Sequence, residues 1–138
     1  MEIIKRERFA HSARKVWSIA RKFRRGSFQY ALGTVVSTKS RDGEKFRTLS
    51  AVDGTKTVQK LVERNEDDMV IAIETVETTL PFGSWHSRLQ ITGDENEAEA
   101  VCVITIEPDG VSPETLQAMI DDAWMIGLAS FKKSLDKR

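Results

Sequence analysis

From Ser112 to Leu135 the apolar residues recur at helical spacing. Taking 100° per residue, Leu116, Ile120, Ala123, Gly127 and Phe131 run along the centre of one face, flanked by Met119, Trp124, Leu128 and Leu135. Glu114, Asp121, Asp122, Lys132 and Lys133 occupy the opposite arc. The apolar arc covers about half the circumference, wider than a surface helix requires, so this helix is predicted to lie across a large apolar partner. Ser112 supplies an N-cap, and Pro113 takes the first helical position, where its missing N–H costs little.

The partner is predicted upstream. Between Ala31 and Glu107 the chain reads as strands broken at regular intervals by turn chemistry. Asp42-Gly43 and Asp53-Gly54 are hairpin signals because both positions tolerate positive φ. Asn65-Glu66-Asp67-Asp68, Leu80-Pro81-Phe82-Gly83 and Gly93-Asp94-Glu95-Asn96 make the other breaks. These turns imply consecutive antiparallel strands at roughly 31–40, 44–52, 55–64, 69–78, 84–92 and 98–107. Two of them reveal the inward face by alternation. Met69, Ile71, Ile73 and Thr75 share one side, as do Trp85, Ser87, Leu89 and Ile91, with His86, Arg88, Gln90 and Thr92 opposite. One apolar face and one wet face describe a sheet covered on one side only.

Glu2 to Phe9 suits a first strand, which brings the sheet to about seven strands. Ser12 then caps a helix in which Ala13, Val16, Trp17, Ala20 and Phe23 recur at helical spacing, with Arg24 and Arg25 at its C-terminal end and Gly26 as its stop. Ser27 to Leu32 is expected to add one further helical turn. No internal repeat, low-complexity tract or linker interrupts the chain, so residues 1–138 are expected to form one domain.

Composition narrows the class. The 138 residues are 40% hydrophobic and 30% charged, as expected of a soluble protein with a sizeable core. No stretch approaches the roughly 20 apolar residues that cross a bilayer, and Met1 to Glu7 lacks the apolar core of a secretory signal, so a cytoplasmic location without stable membrane insertion is expected. Cys102 is the single cysteine, which excludes an intramolecular disulfide and any all-cysteine metal cage. Formal charge is zero but unevenly spread: residues 1–25 carry nine basic against two acidic side chains. Such asymmetry fits an anionic partner, or else only the solvated side of an amphipathic helix.

The order strand, helix, long meander, terminal helix resembles the helix-grip or START/SRPBCC superfamily, the architecture of the birch-pollen allergen, and within it the polyketide cyclase/dehydrase-like lipid-transport branch. Ser12-Ala13-Arg14-Lys15-Val16-Trp17, Arg47-Thr48-Leu49 before Asp53-Gly54, Leu80-Pro81, Ile106-Glu107-Pro108-Asp109-Gly110 and Gly127-Leu128 carry the similarity. It implies an α+β helix-grip fold: a curved seven-stranded antiparallel sheet wrapped around a long C-terminal helix, with one or two short helices after the first strand. It also implies a cavity for a small hydrophobic ligand, without a cofactor. The chain departs from the family pattern at Gly26-Ser27-Phe28-Gln29-Tyr30, where a Trp-His-Pro-like element is usual, and at Gln59, Ile71, Ile73 and Cys102, which stand where a glutamate, tyrosines and a tryptophan are common. The resemblance therefore implies a plainer, more aliphatic interior.

On this reading Ile71, Ile73, Trp85, Leu89, Cys102, Ile104, Ile120, Ala123, Trp124, Gly127 and Phe131 wall the cavity, and Gln59 and Arg47 orient its content. Gly127 in mid-helix costs about 1 kcal/mol relative to alanine, which either space or a tight helix-on-strand contact should explain. Arg47 shares strand parity with Leu49 and Ala51, while Phe46, Thr48 and Ser50 share the other. Pointing inward, its guanidinium needs a carboxylate or a ligand anion, favouring a fatty-acid-like or polyketide acid; pointing outward, it is simply hydrated. His11 and His86 have no interior partner for acid–base work, Cys102 has no activating neighbour, and no metal, nucleotide or nucleic-acid motif occurs. The leading function is binding or transport of a small hydrophobic molecule such as a lipid, fatty acid or polyketide. A polyketide cyclase or dehydratase on the same scaffold is one alternative. A protein or membrane-surface adaptor using the basic first helix is another.

Overall fold

A computed structural model describes residues 1–23, 34–51 and 53–136. In chain order it contains β1 (Glu2–Phe9), α1 (Ala13–Ala20), β2 (Thr34–Arg41), β3 (Glu44–Ser50), β4 (Lys56–Asn65), β5 (Val70–Thr78), β6 (Phe82–Gly93), β7 (Ala98–Pro108) and α2 (Pro113–Asp136). The strands form one open antiparallel sheet in the order β1-β7-β6-β5-β4-β3-β2, so β2 to β7 are a continuous meander and β1 pairs with its last strand.

The turns follow from local chemistry. Asp42 and Gly43 both have positive φ, at 53° and 81°, as a two-residue hairpin loop whose twist matches its strands requires. Asn65 Oδ1 accepts from the backbone N–H groups of Asp67 and Asp68, closing the β4–β5 turn. Asp94 does the same for Asn96 and Glu97, and these bonds hold its carboxyl below the usual range. At Gly93, φ is 140° and a Cβ would fall 2.2 Å from the Glu97 carbonyl oxygen, so only glycine fits between β6 and β7. Register shifts in β2 (Val35/Ser37), β4 (Val58/Gln59 and Leu61/Glu63) and β6 (Phe82/Ser84) mark bulges, which bend and twist their strands locally.

Two predicted boundaries move. The first helix ends at Ala20 and does not reach Phe23: Arg21 and Lys22 donate back to Trp17 and Ile19 in a tightened last turn, and the Arg21 side chain is drawn to Glu66. Phe23 is buried beyond the helix end. The proposed stop at Gly26 and the further turn over Ser27 to Leu32 lie outside the described residues. β6 starts at Phe82, inside the stretch read as a turn, because the bulge before Ser84 absorbs the irregularity. The outer face of the sheet is also less uniformly wet than its alternation implies, since Val70 and Ala72 there are buried.

Ser112 caps α2, its Oγ accepting from Thr115 N at 3.1 Å. The helix spans about 36 Å and crosses the concave face held at two places. Near its start Leu116 and Ile120 pack with Ile3, Phe82, Cys102, Ile104 and Ile106. Near its end Phe131 and Leu135 pack with Phe9, Ile71, Ile91, Ala100 and α1. Between the two clusters Ala123, Trp124, Gly127 and Leu128 are only partly buried, although they lie on the apolar face.

Candidate ligand-binding cavity

The half-buried middle of α2 stands over a hollow of about 220 Å³. Every residue expected on its wall is there: Arg47 from β3, Gln59 from β4, Ile71 and Ile73 from β5, Trp85 and Leu89 from β6, Cys102 and Ile104 from β7, and Ile120, Ala123, Trp124, Gly127 and Phe131 from α2. Strand alternation explains the first eight, because residues two apart share a face. The α2 set follows from the helical period of its apolar arc. Gly127 leaves space: a Cβ built there meets nothing within 4 Å, which rules out the tight helix-on-strand contact.

Arg47 points inward. It is 3% exposed, its Nε donates to Gln59 Oε1 at 2.8 Å, and its guanidinium lies 4.5 Å from the centre of the Phe23 ring. The parity argument that tied its direction to Leu49 holds, since Leu49 is fully buried beside it. The contacts of the guanidinium with Gln59 and Phe23 are with neutral groups, and the expectation for an inward arginine was a carboxylate or a ligand anion beside it. An amide oxygen accepts a hydrogen bond from a cation well, and a ring face attracts it through its quadrupole. A second polar spot lies on β6, where Trp85 Nε1 donates to Ser87 Oγ at 2.8 Å. Cys102 has its thiol pushed up to about 12 by burial, which leaves it a small apolar wall residue.

Sequence reasoning missed part of the wall. Ser87 and Ile91 were assigned to the inward face of β6, and Ala100 shares parity with Cys102, so those signals were available. Phe9, Ala20 and Lys22 come from β1 and the end of α1, and only the tertiary fold brings them to the cavity. The same end of α1 is fastened to the β4–β5 turn. Glu66 accepts from Trp17 Nε1 at 2.8 Å and Arg21 Nε at 2.9 Å, and Arg64 Nε lies 3.6 Å away. These hydrogen bonds and charges lower its pKa to about 2.

The basic N-terminal region meets acidic partners from the rest of the chain. Lys5 pairs with Asp121 on α2, Arg6 and Arg8 each approach Glu99 at 3.6 Å, and Arg21 holds Glu66. Because α1 ends at Ala20, Arg21 and Lys22 do not extend a continuous basic helix face. Among the described residues no helix is long and apolar enough to cross a membrane.

No family model and no curated protein matches the chain at the level of sequence. Solved structures do match in shape. An aromatase/cyclase from Streptomyces, Zhui, superposes with a TM-score of 0.77 at 14% identity, over 100% of this chain and 94% of that one. A START superfamily protein from Mycobacterium smegmatis gives 0.74 at 11%, over 99% and 97%. The fold is that of the START-type proteins. An uncharacterised Bacillus thuringiensis protein shares this START-type architecture with a TM-score of 0.81 at 18% identity, over 98% of both chains. At such identities the START likeness concerns the scaffold: a curved sheet, a long helix and the space between them.

Proposed function

We propose that this protein binds, and so carries or sequesters, a small hydrophobic molecule of the lipid, fatty-acid or polyketide type between the sheet and α2. The observation that carries the reading is the helix held by a core cluster at each end over an apolar hollow, with Gly127 opening it in the middle. Apolar ligands favour such a site because it removes their surface from water at about 25 cal/mol per Å². The volume of about 220 Å³ lies below the roughly 300–1,000 Å³ of pockets for drug-sized molecules, so the occupant is small.

The scaffold also hosts an aromatase/cyclase, which keeps an enzymatic reading as the second choice. Acid–base chemistry on a bound chain needs a titratable group within reach. Among the described residues the wall carries no aspartate, glutamate or histidine; its ionisable side chains are Lys22, Arg47 and the Cys102 thiol, which stays protonated, a set that favours holding over reacting. The adaptor reading is weaker, because Arg21, one of the basic residues it needs, is engaged with Glu66; Arg24 and Arg25 lie outside the described residues.

Native mass spectrometry of the protein purified from its own host tests the proposal. The expected result is a hydrophobic adduct of low mass on the wild type that is absent from a folded Gly127→Leu variant, whose side chain fills the hollow. An adduct retained equally by both would place the ligand elsewhere and overturn the assignment.

A further inference from the structure

Apart from the two indoles and the Cys102 thiol, the polar side chains described on the cavity wall are Lys22, Arg47, Gln59 and Ser87. Lysine, arginine and tryptophan carry donors and no acceptor, so the strong side-chain acceptors of this wall are the amide oxygen of Gln59 and the hydroxyl oxygen of Ser87. Each is taken by a group that can only donate: Arg47 Nε reaches Gln59 Oε1 at 2.8 Å, and Trp85 Nε1 reaches Ser87 Oγ at 2.8 Å.

These two bonds decide what faces the hollow. Because Arg47 can offer only N–H, the amide of Gln59 must turn its oxygen toward it, and the NH2 is left over. Ser87 receives the indole proton on a lone pair and keeps its own hydroxyl proton to give. Among the described residues nothing accepts from the Gln59 NH2 or the Ser87 hydroxyl. The residues directly opposite Ser87 are Ile73 and Ile104, which have no side-chain acceptor, and strand carbonyls are engaged in the sheet ladder. Gln59 and Ser87 stand two strands apart, about 10 Å across the sheet, so donors are presented at two places on an otherwise apolar wall.

A ligand that fills the hollow displaces water from those donors, and a donor left without a partner in apolar surroundings is costly. A hydrocarbon leaves them bare, whereas a carbonyl oxygen brings two lone pairs and no proton of its own. We infer that the ligand is a small apolar molecule bearing a carbonyl oxygen, which accepts from the Ser87 hydroxyl or the Gln59 NH2, and that these two residues make the site select carbonyl compounds over hydrocarbons of the same shape.

The inference holds only if the cavity is the binding site, and the test separates the two claims. Acetophenone and ethylbenzene share a shape and differ in one carbonyl oxygen, so both are titrated at pH 7 into the wild type, Ser87→Ala, Gln59→Glu, the double variant and Gly127→Leu. The glutamate keeps an oxygen for Arg47 and puts a second oxygen where the NH2 was. The double variant is expected to weaken acetophenone about tenfold and ethylbenzene by less than about twofold, and Gly127→Leu should lose both probes. Hydrogen bonding weakens a C=O bond, so the infrared carbonyl band of bound acetophenone should lie below its position in a hydrocarbon solvent and return toward it in the single variant that removes the contacted donor. Equal weakening of the two probes in the double variant, or undiminished acetophenone binding there, overturns the carbonyl contact while leaving the cavity reading in place. If the double variant does not fold, the band decides: at its hydrocarbon position in the wild type, or unmoved by both single variants, it overturns the contact. Failure of the wild type to bind either probe overturns the cavity reading as well.

Discussion

At position 127 an added methyl group would touch nothing within 4 Å, so no close approach offsets the helix-weakening effect of glycine. Gly127→Ala is therefore expected to stabilise the protein by about 1 kcal/mol, read as a rise in the urea midpoint at constant slope. A packed site would give the opposite sign. Cys102 makes a second residue-level case. With its thiol pushed up to about 12, only about one molecule in ten thousand carries a thiolate at pH 8. Labelling by a thiol reagent at pH 8 should accordingly be negligible in the folded protein and complete in denaturant; fast labelling of the native state would show that the wall at Cys102 opens. Not every residue could be read from sequence to the same depth. Ile71, Ile73, Trp85 and Leu89 were legible as wall because clean alternation leaves one register. Arg47 was not, since β3 mixes polar and apolar residues on both parities. Burial of Leu49 settles its direction, and that is a property of the packed sheet.

Among the elements, α2 and the hairpins were written locally. Ser112-Pro113 and Asp42-Gly43 satisfy backbone groups within a few residues, so their chemistry shows in sequence. The end of α1 was not legible because what redirects the chain there is Glu66, 45 residues away, gripping Arg21 and Trp17. The fastening has a pH signature. The Glu66 carboxyl titrates at about 2 in the folded protein, against an ordinary value of 4.5. The stability it contributes is fully present above pH 4.5 and is lost as pH falls from there toward 2. The difference in urea midpoint between wild type and Glu66→Gln should then be constant from pH 7 to about pH 5 and vanish near pH 2. A difference independent of pH would mean that the carboxylate charge plays no part in holding α1. On α2, Leu116→Ala should cost about 2–5 kcal/mol as a fully buried core truncation, because Leu116 anchors the first of the two clusters.

For the whole molecule, the arrangement that matters is a long helix supported at both ends and unsupported in the middle. Close packing is the rule in protein interiors, and an apolar gap of this size forgoes contacts that a filled core would make. Occupation by a ligand restores them. The START-type structures show that this scaffold recurs across chains with 18% identity or less to this one, so what persists is the curvature of the sheet and the position of the helix. The uneven sequence charge is offset in part at this scale, since Lys5, Arg6, Arg8 and Arg21 meet Asp121, Glu99 and Glu66 across the fold. Methyl-resolved NMR of the wild-type protein titrated with octanoate tests the central claim most directly. Saturable shifts are expected at Ile71, Ile73, Ile104 and Ile120, which line the hollow, with the exposed Ile4 and Ile126 unmoved. Shifts confined to the exposed methyls, or none at all, would contradict the account.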